Sequence, residues 1–185
     1  MYLHSIDPTH PILGFNTPSG VPSGGGWTGP GAQPQITNLY SWLTNATTPI
    51  TGYDYYPISG GPGTQSYGQS IADIGKIAPL LQNVIAANYP PEKIGFVGQA
   101  FSWAQEYGAN CTSVTVCPYP TQAQEQQMRD QALYYAAQAG NPIAYVFWYY
   151  WPDITCLNTF PGCDPNANRA ALRAVNSAPF PVSPP

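Results

Sequence analysis

Four short apolar segments alternate with longer segments of helical periodicity, and this alternation constrains the fold more than any other feature of the chain. The predicted strands cover residues 11–15, 50–57, 94–99 and 143–150, so their starts are separated by 39, 44 and 49 residues. Each interval has room for one strand and one helix, an alternation typical of a parallel sheet with right-handed crossovers. The pattern therefore predicts an α/β fold of four βα units.

Local signals predict where the four helices begin and end. The first is expected around residues 36–43 and the second over residues 71–85, from apolar side chains at helical spacing. Pro79 lies inside the second and is expected to kink or split it. Thr121 and Gln124 have the spacing of a capping box, which predicts the start of the third helix.

The sequence also marks the end of the third helix and the start of the fourth. Gly140 is a typical stop for the third helix, and Asp164 followed by Pro165 is typical of the N-cap and first residue of the fourth. We expect residues 1–175 to form one domain and residues 176–185 to form a Pro-rich, extended tail.

The connections after the predicted strands are longer than the connections after the helices. In parallel α/β sheets, the loops that follow the strands leave from the carboxyl edge, and binding and catalytic groups concentrate there. The functional site is therefore expected at the carboxyl edge of the sheet.

Composition excludes several classes of partner. Charged residues make up only 8% of the chain and the net charge is -4, so there is no basic surface to neutralise a nucleic acid. The longest apolar run, residues 143–151, is too short for a membrane helix. The Gly-rich segment 24–31 lacks the Gly-Lys-Ser/Thr ending of a phosphate loop. We expect no nucleic acid, membrane or cofactor.

The cysteines form two close pairs in segments rich in turn-forming residues. Neither pair has zinc-ligand spacing and both histidines are distant in sequence, so no metal is expected and short disulfides are favoured over free thiols. Disulfides, together with N-glycosylation sequons at Asn45 and Asn110, fit a secreted protein. The expected pairs are Cys111 with Cys117 and Cys156 with Cys163.

Several motifs occur in an order that resembles a known enzyme class. They are DPTHPIL at 7–13, GYDYYP at 52–57, GFVGQAFSW at 95–103 and VFWYY at 146–150. In this order they resemble strands five to eight of a retaining glycoside hydrolase (β/α)8 barrel. The resemblance implies that the chain is half of a TIM barrel and that its ligand is an oligosaccharide or polysaccharide.

The resemblance also shows two departures from the family. The acid/base carboxylate of such enzymes follows strand four, which has no counterpart here. The nucleophilic glutamate at the end of strand seven corresponds to Gln99, whose amide cannot form the glycosyl ester or take a proton. Hydrolysis would therefore require a missing N-terminal half.

Three carboxylates fall near the predicted carboxyl edge, at Asp54, Glu106 and Asp153. With Gln99 they are the candidate catalytic residues. An aspartate inside a parallel strand is costly unless it is paired or functional. The alternatives are a structural hydrogen bond from a backbone group or Tyr hydroxyl to Asp54, a solvated Glu106 and a turn-capping Asp153.

Aromatic side chains near the strand ends are candidates for stacking on sugar rings. Because strand residues alternate between faces, about half of the aromatic residues in strands should instead pack in the core. Tyr55 and Trp148 are the two residues for which this packing role is the alternative to ligand binding. The candidate ligand-binding residues are Trp27, Tyr55, Tyr56, Trp103, Trp148 and Trp151.

Two functions therefore remain open. The chain is either a secreted glycoside hydrolase domain or a non-catalytic glycan-binding or structural protein. Under both functions, the open sheet edges of a half-barrel favour pairing with a second chain. A homodimer or a complementary half-barrel chain is the expected partner.

Overall fold

The computed structural model describes residues 13–16, 50–58, 70–86, 94–102, 112–113, 115–149 and 164–185. Within them the chain forms four parallel strands and three helices. In chain order these are β1 (Leu13–Asn16), β2 (Ile50–Tyr55), α1 (Ile71–Ala86), β3 (Ile94–Gln99), α2 (Gln122–Gln138), β4 (Tyr145–Tyr149) and α3 (Pro165–Ser177).

The strands lie side by side in the order β1-β2-β3-β4, and every neighbouring pair is parallel. The predicted α/β class and the parallel sheet are confirmed. The helix predicted around residues 36–43 lies outside the described residues. The βα unit that begins with β1 and the half-barrel of four such units therefore stay predictions. The homodimer or complementary half-barrel chain is likewise still a prediction.

The three helices cover one face of the sheet, which we call the helix face. α1 packs against α2 and α2 against α3, and all three follow a strand of the same sheet. Tyr53 of β2 and Phe96 of β3 are both fully buried in the core on this face, with ring centroids 5.4 Å apart. α2 contributes Met128, Ala132 and Ala136 to the same core.

Both ends of α2 match the local sequence signals. Thr121 Oγ1 accepts a hydrogen bond from the Gln124 backbone N–H at 3.3 Å, and Gln124 Oε1 accepts one from the Thr121 N–H at 2.9 Å. This is the predicted capping box. At the other end, the N–H groups of Gly140 and Asn141 donate to Ala137 and Ala136 carbonyls. That Schellman pattern needs a left-handed residue, and Gly140 supplies it with φ of 81°.

The predicted start of α3 is confirmed, and Pro79 affects α1 less than one of the two predicted outcomes required. The Asp164 carboxylate caps α3 by accepting from the N–H groups of Asn166 and Ala167, and Pro165 is the first helical residue. Pro79 does not split α1, which continues from Ile71 to Ala86. Of the two outcomes expected at Pro79, a kink or a split, the split is therefore wrong.

The Pro-rich tail packs back on α2. Its predicted start lies two residues inside α3, which ends at Ser177. The Arg129 guanidinium, which is buried, donates to the carbonyls of Ala178 at 2.7 Å and Pro179 at 3.3 Å. Further along, the Gln131 amide donates to the Pro185 oxygen at 3.1 Å. The extended tail is therefore held by α2 at two points.

Gly98 is required by the close approach of an aromatic ring. A Cβ at this position would lie 2.5 Å from Cζ3 and 2.8 Å from Cε3 of Trp148, the residue paired with it on β4. We expect Gly98→Ala to lower the free energy of unfolding by roughly 1–3 kcal/mol, measured by urea denaturation, because the ring must move. In a Trp148→Leu background the same substitution should cost much less. Equal losses in both backgrounds would contradict the steric explanation.

Candidate functional site

The candidate site lies on the sheet face opposite the helices, at the carboxyl ends of the strands. Asp54 of β2 pairs with Val97 of β3, and Gln99 of β3 pairs with Tyr149 of β4. Paired strand residues share a face, as do residues two apart along one strand. Asp54, Val97, Gln99 and Tyr149 therefore share one face, which we call the site face.

Asp54 lies in β2 with 9% of its surface exposed. The Tyr56 hydroxyl donates a hydrogen bond to Asp54 Oδ2 at 2.8 Å. This is the kind of structural contact considered as the alternative for this aspartate. The bond leaves the carboxylate at the edge of the sheet and fixes the orientation of a phenol two residues further along. The pair joins two of the predicted site residues.

Gln99 is fully buried, and its carboxamide is engaged by backbone groups. Oε1 accepts from the Ile58 N–H at 2.8 Å, while Nε2 donates to the Ile58 carbonyl at 2.9 Å and to the Phe101 carbonyl at 3.0 Å. The side chain thus ties the segment after β2 to the segment after β3. Two of its three bonds need the amide N–H groups, which a glutamate lacks.

Three rings form an edge aromatic cluster, made of Tyr56, Phe101 and Tyr149. Tyr56 stacks on Tyr149 with centroids 5.8 Å apart and rings inclined at 26°. Phe101 meets both rings edge-on, at 5.1 Å from Tyr56 and 5.5 Å from Tyr149. Phe101 is buried, whereas Tyr149 keeps 42% of its surface exposed. The cluster therefore presents one supported, accessible ring beside Asp54.

Two of the predicted ligand-binding residues lie on the helix face instead. Tyr55 is buried in the core, and this burial raises the pKa of its phenol, with the Asp73 charge adding to the effect. Trp148 packs against the same core, and its Nε1 donates to Asn176 Oδ1 of α3 at 2.8 Å. Both positions agree with the packing alternative considered for these two aromatics.

The remaining predicted site residues, apart from Cys117, lie outside the described residues. Cys117 is fully buried and is not a free thiol, while the two disulfide pairings stay predictions. The residues whose placement is not described are Trp27, Asn45, Trp103, Glu106, Asn110, Cys111, Trp151, Asp153, Cys156 and Cys163.

Sequence reasoning missed a buried carboxylate at the carboxyl end of the sheet. Glu125 lies in the first turn of α2, which begins at the carboxyl edge because it follows β3. Its surface is 4% exposed and Oε2 has no hydrogen-bond partner. Burial raises the pKa of this carboxyl group to about 8. An acidic residue in a first helical turn is ordinarily solvated, so the sequence carried no signal for this burial.

Sequence reasoning also missed Tyr149 and Phe101 as site residues. The alternation of a strand could have revealed Tyr149, since it must face away from its neighbour Trp148. The local sequence does not show whether Trp148 or Tyr149 lies on the helix face, because this depends on packing against the helices. Phe101 follows the end of β3 and joins the cluster through its position beside Tyr149.

Comparison with known proteins found no matching family model, curated protein or solved structure. Among the described residues, no group of three or more His, Cys, Asp or Glu side chains could hold a metal ion. No helix in that part of the chain is long and apolar enough to cross a membrane. The function of this chain is therefore inferred from the geometry of the site face.

Proposed function

We propose that this chain is a carbohydrate-active protein that binds an oligosaccharide or polysaccharide at the carboxyl edge of its sheet. The observation that carries the proposal is the edge aromatic cluster, with the exposed Tyr149 ring supported by Tyr56 and Phe101. Sugar rings have apolar C–H faces that stack on aromatic rings held in this way. A pre-organised ring also loses little conformational entropy on binding.

Polar groups beside the cluster suit the hydroxyl rim of a sugar. Asp54 and Tyr56 are joined by a hydrogen bond and lie next to the stacking ring. The carboxylate accepts hydrogen bonds, and the phenol both donates and accepts. One apolar platform with a few convergent polar groups is the usual make-up of a small-molecule site.

The geometry favours binding over hydrolysis. Retaining hydrolysis needs two carboxyl groups across the scissile bond. Asp54 is the one described carboxylate on the site face, since Asp73, Glu125, Asp130 and Asp164 belong to helices or a helix cap. The Gln99 amide, at the position that the resemblance assigns to the nucleophile, is engaged by the backbone. Non-catalytic glycan binding is therefore the function that we propose.

Tyr149→Ala is expected to weaken binding of the recognised glycan about tenfold, because it removes the accessible stacking ring. Affinity gel electrophoresis against a polysaccharide panel, followed by calorimetry on the best ligand, measures the change. Tyr145→Ala is the matched control. Tyr145 is 40% exposed on the same face of the same strand, but lies roughly 13 Å away at the amino end.

The control separates stacking from a general effect on β4. Equal losses for Tyr149→Ala and Tyr145→Ala would contradict the placement of the site at the carboxyl edge. Wild-type protein that binds no glycan of the panel would contradict the proposed function. Release of reducing ends from the bound glycan would show hydrolysis and overturn the choice of a non-catalytic protein.

A further inference from the structure

The segments that follow the four strands in the sequence contain no Lys, Arg or His; they are residues 17–49, 56–70, 100–121 and 150–164. The sequence holds five Lys and Arg residues and two histidines. Four of the five are on helices, which cover the opposite face of the sheet, and the fifth comes directly before β3 in the sequence. Both histidines precede β1. The residues are His4, His10, Lys76, Lys93, Arg129, Arg169 and Arg173.

Two of these basic side chains, Lys76 and Arg129, are neutralised by acidic residues of their own helices. Lys76 forms an ion pair with Asp73 of the same helix at 3.1 Å. Arg129 is bound to Asp130 at 2.6 Å and to the two tail carbonyls on α2. Neither side chain can reach a ligand on the site face without abandoning these contacts.

The described carboxylate on the site face is Asp54. It lies beside the edge aromatic cluster and accepts a hydrogen bond from the Tyr56 hydroxyl. A carboxylate or sulfate group placed here would lose its hydration beside the Asp54 carboxyl group, and the segments that follow the strands supply no basic residue to replace that hydration. The hydroxyl groups of an uncharged sugar avoid this loss of free energy, because neutral donors and acceptors satisfy their hydrogen bonds.

On the basis of the glycan-binding function proposed above, we infer that the carboxyl edge selects uncharged glycans and excludes those that carry carboxylate or sulfate groups. The discrimination arises from the absence of Lys, Arg and His from the segments that follow the four strands. For two glycans with the same backbone, we expect the anionic form to bind at least about tenfold more weakly at low salt.

Matched pairs of polymers test this selectivity. Suitable pairs are hydroxyethyl cellulose with carboxymethyl cellulose, dextran with dextran sulfate, and methyl-esterified with de-esterified homogalacturonan. Affinities are measured by calorimetry at roughly 20 mM and 300 mM NaCl. Binding of the uncharged member should change little with salt. Residual binding of the anionic member should strengthen at high salt, where repulsion is screened.

A charge-introducing variant gives a gain-of-function readout. Tyr149→Arg places a cation on the exposed position of the edge aromatic cluster, so it should weaken binding of the uncharged glycan and improve binding of its anionic counterpart. Tyr145→Arg adds the same charge at the other end of β4 and should change neither affinity at 300 mM NaCl. Circular dichroism is used to check that both variants are folded.

The possible outcomes distinguish the inference from the proposed function. Preference for the uncharged members, reversed by Tyr149→Arg alone, supports the inference. Equal or tighter binding of the anionic members by the wild type overturns it while leaving glycan binding intact. Failure of every member of every pair to bind overturns the proposed function and the inference together.

Discussion

Gln99→Glu is expected to lower the free energy of unfolding by roughly 3–5 kcal/mol at pH 7, although it restores the residue type that the resembled hydrolases use as nucleophile. The new carboxylate can still accept the Ile58 N–H bond, but it would face the carbonyls of Ile58 and Phe101 without a proton to donate. The position is fully buried, so water cannot relieve the repulsion. The substitution is therefore predicted to damage the fold rather than create an enzyme.

The loss should depend on pH with a defined sign. Burial against two carbonyl oxygens raises the pKa of the introduced carboxyl group above the unfolded value of about 4.3. The stability difference between wild type and variant should therefore be small below about pH 4 and grow as the pH rises through neutrality. Urea denaturation of both proteins at pH 4, 6 and 8 measures this change.

Gln127→Glu is the matched control for this prediction. Gln127 lies on the exposed side of α2, where the same chemical change should alter the free energy of unfolding by about 0.5 kcal/mol or less. A loss below about 1 kcal/mol for Gln99→Glu, or a loss that does not vary with pH, would mean that the amide bonds to Ile58 and Phe101 do not hold the two segments together.

Wild-type stability is expected to fall by roughly 3–5 kcal/mol between pH 4.5 and pH 8 through Glu125 alone. The pKa of this carboxyl group is raised by burial from 4.5 to about 8 in the folded chain. Between these values the folded state keeps a proton that the unfolded state has released. Stability is therefore fully present below the unfolded pKa, falls by about 1.4 kcal/mol per pH unit, and levels off above the folded pKa.

Glu125→Gln isolates this contribution. The amide is neutral at every pH and similar in size, so the variant should lose this contribution to the pH dependence and exceed the wild type in stability at pH 9. The difference between the two denaturation series cancels the titration of all other groups. Parallel pH profiles for wild type and variant would contradict a buried carboxyl group whose Oε2 has no hydrogen-bond partner.

Secondary structure was largely predictable because its signals are local. The capping box at Thr121, the glycine at position 140 and the Asp164-Pro165 start each act within one helical turn. Strand β3 was predicted with the observed limits, Ile94–Gln99. β1 and β4 begin two residues later than predicted, where pairing rather than local apolar character sets the limit.

The candidate site was less predictable because its contacts join distant parts of the chain. Gln99 binds Ile58, 41 residues away, and this contact depends on the register of two strands. Trp148 and Tyr149 are adjacent in sequence, yet they lie on opposite faces of the sheet. Composition identified them as aromatic strand residues, but packing against the helices decided which one remains accessible.

The burial of Glu125 was also beyond local prediction. Its position suits an ordinary solvated acid near a helix N-terminus. Only the packing of α2 against the sheet, shown by the burial of Met128 and Ala132 on the same helix side, places the carboxyl group in the interior. The sequence analysis therefore did not include Glu125 among the carboxylates near the carboxyl edge.

Hydroxyl-radical footprinting with mass spectrometry, in the presence and absence of a saturating uncharged glycan, tests the central claim most directly. The proposed site predicts that the glycan protects Tyr149 from oxidation. Tyr145 at the amino end of β4 and Phe180 in the tail, which are 40% and 49% exposed, should be oxidised equally in both samples. Unchanged oxidation of Tyr149, with protection at Tyr145 or Phe180 instead, would contradict a glycan-binding site at the carboxyl edge of the sheet.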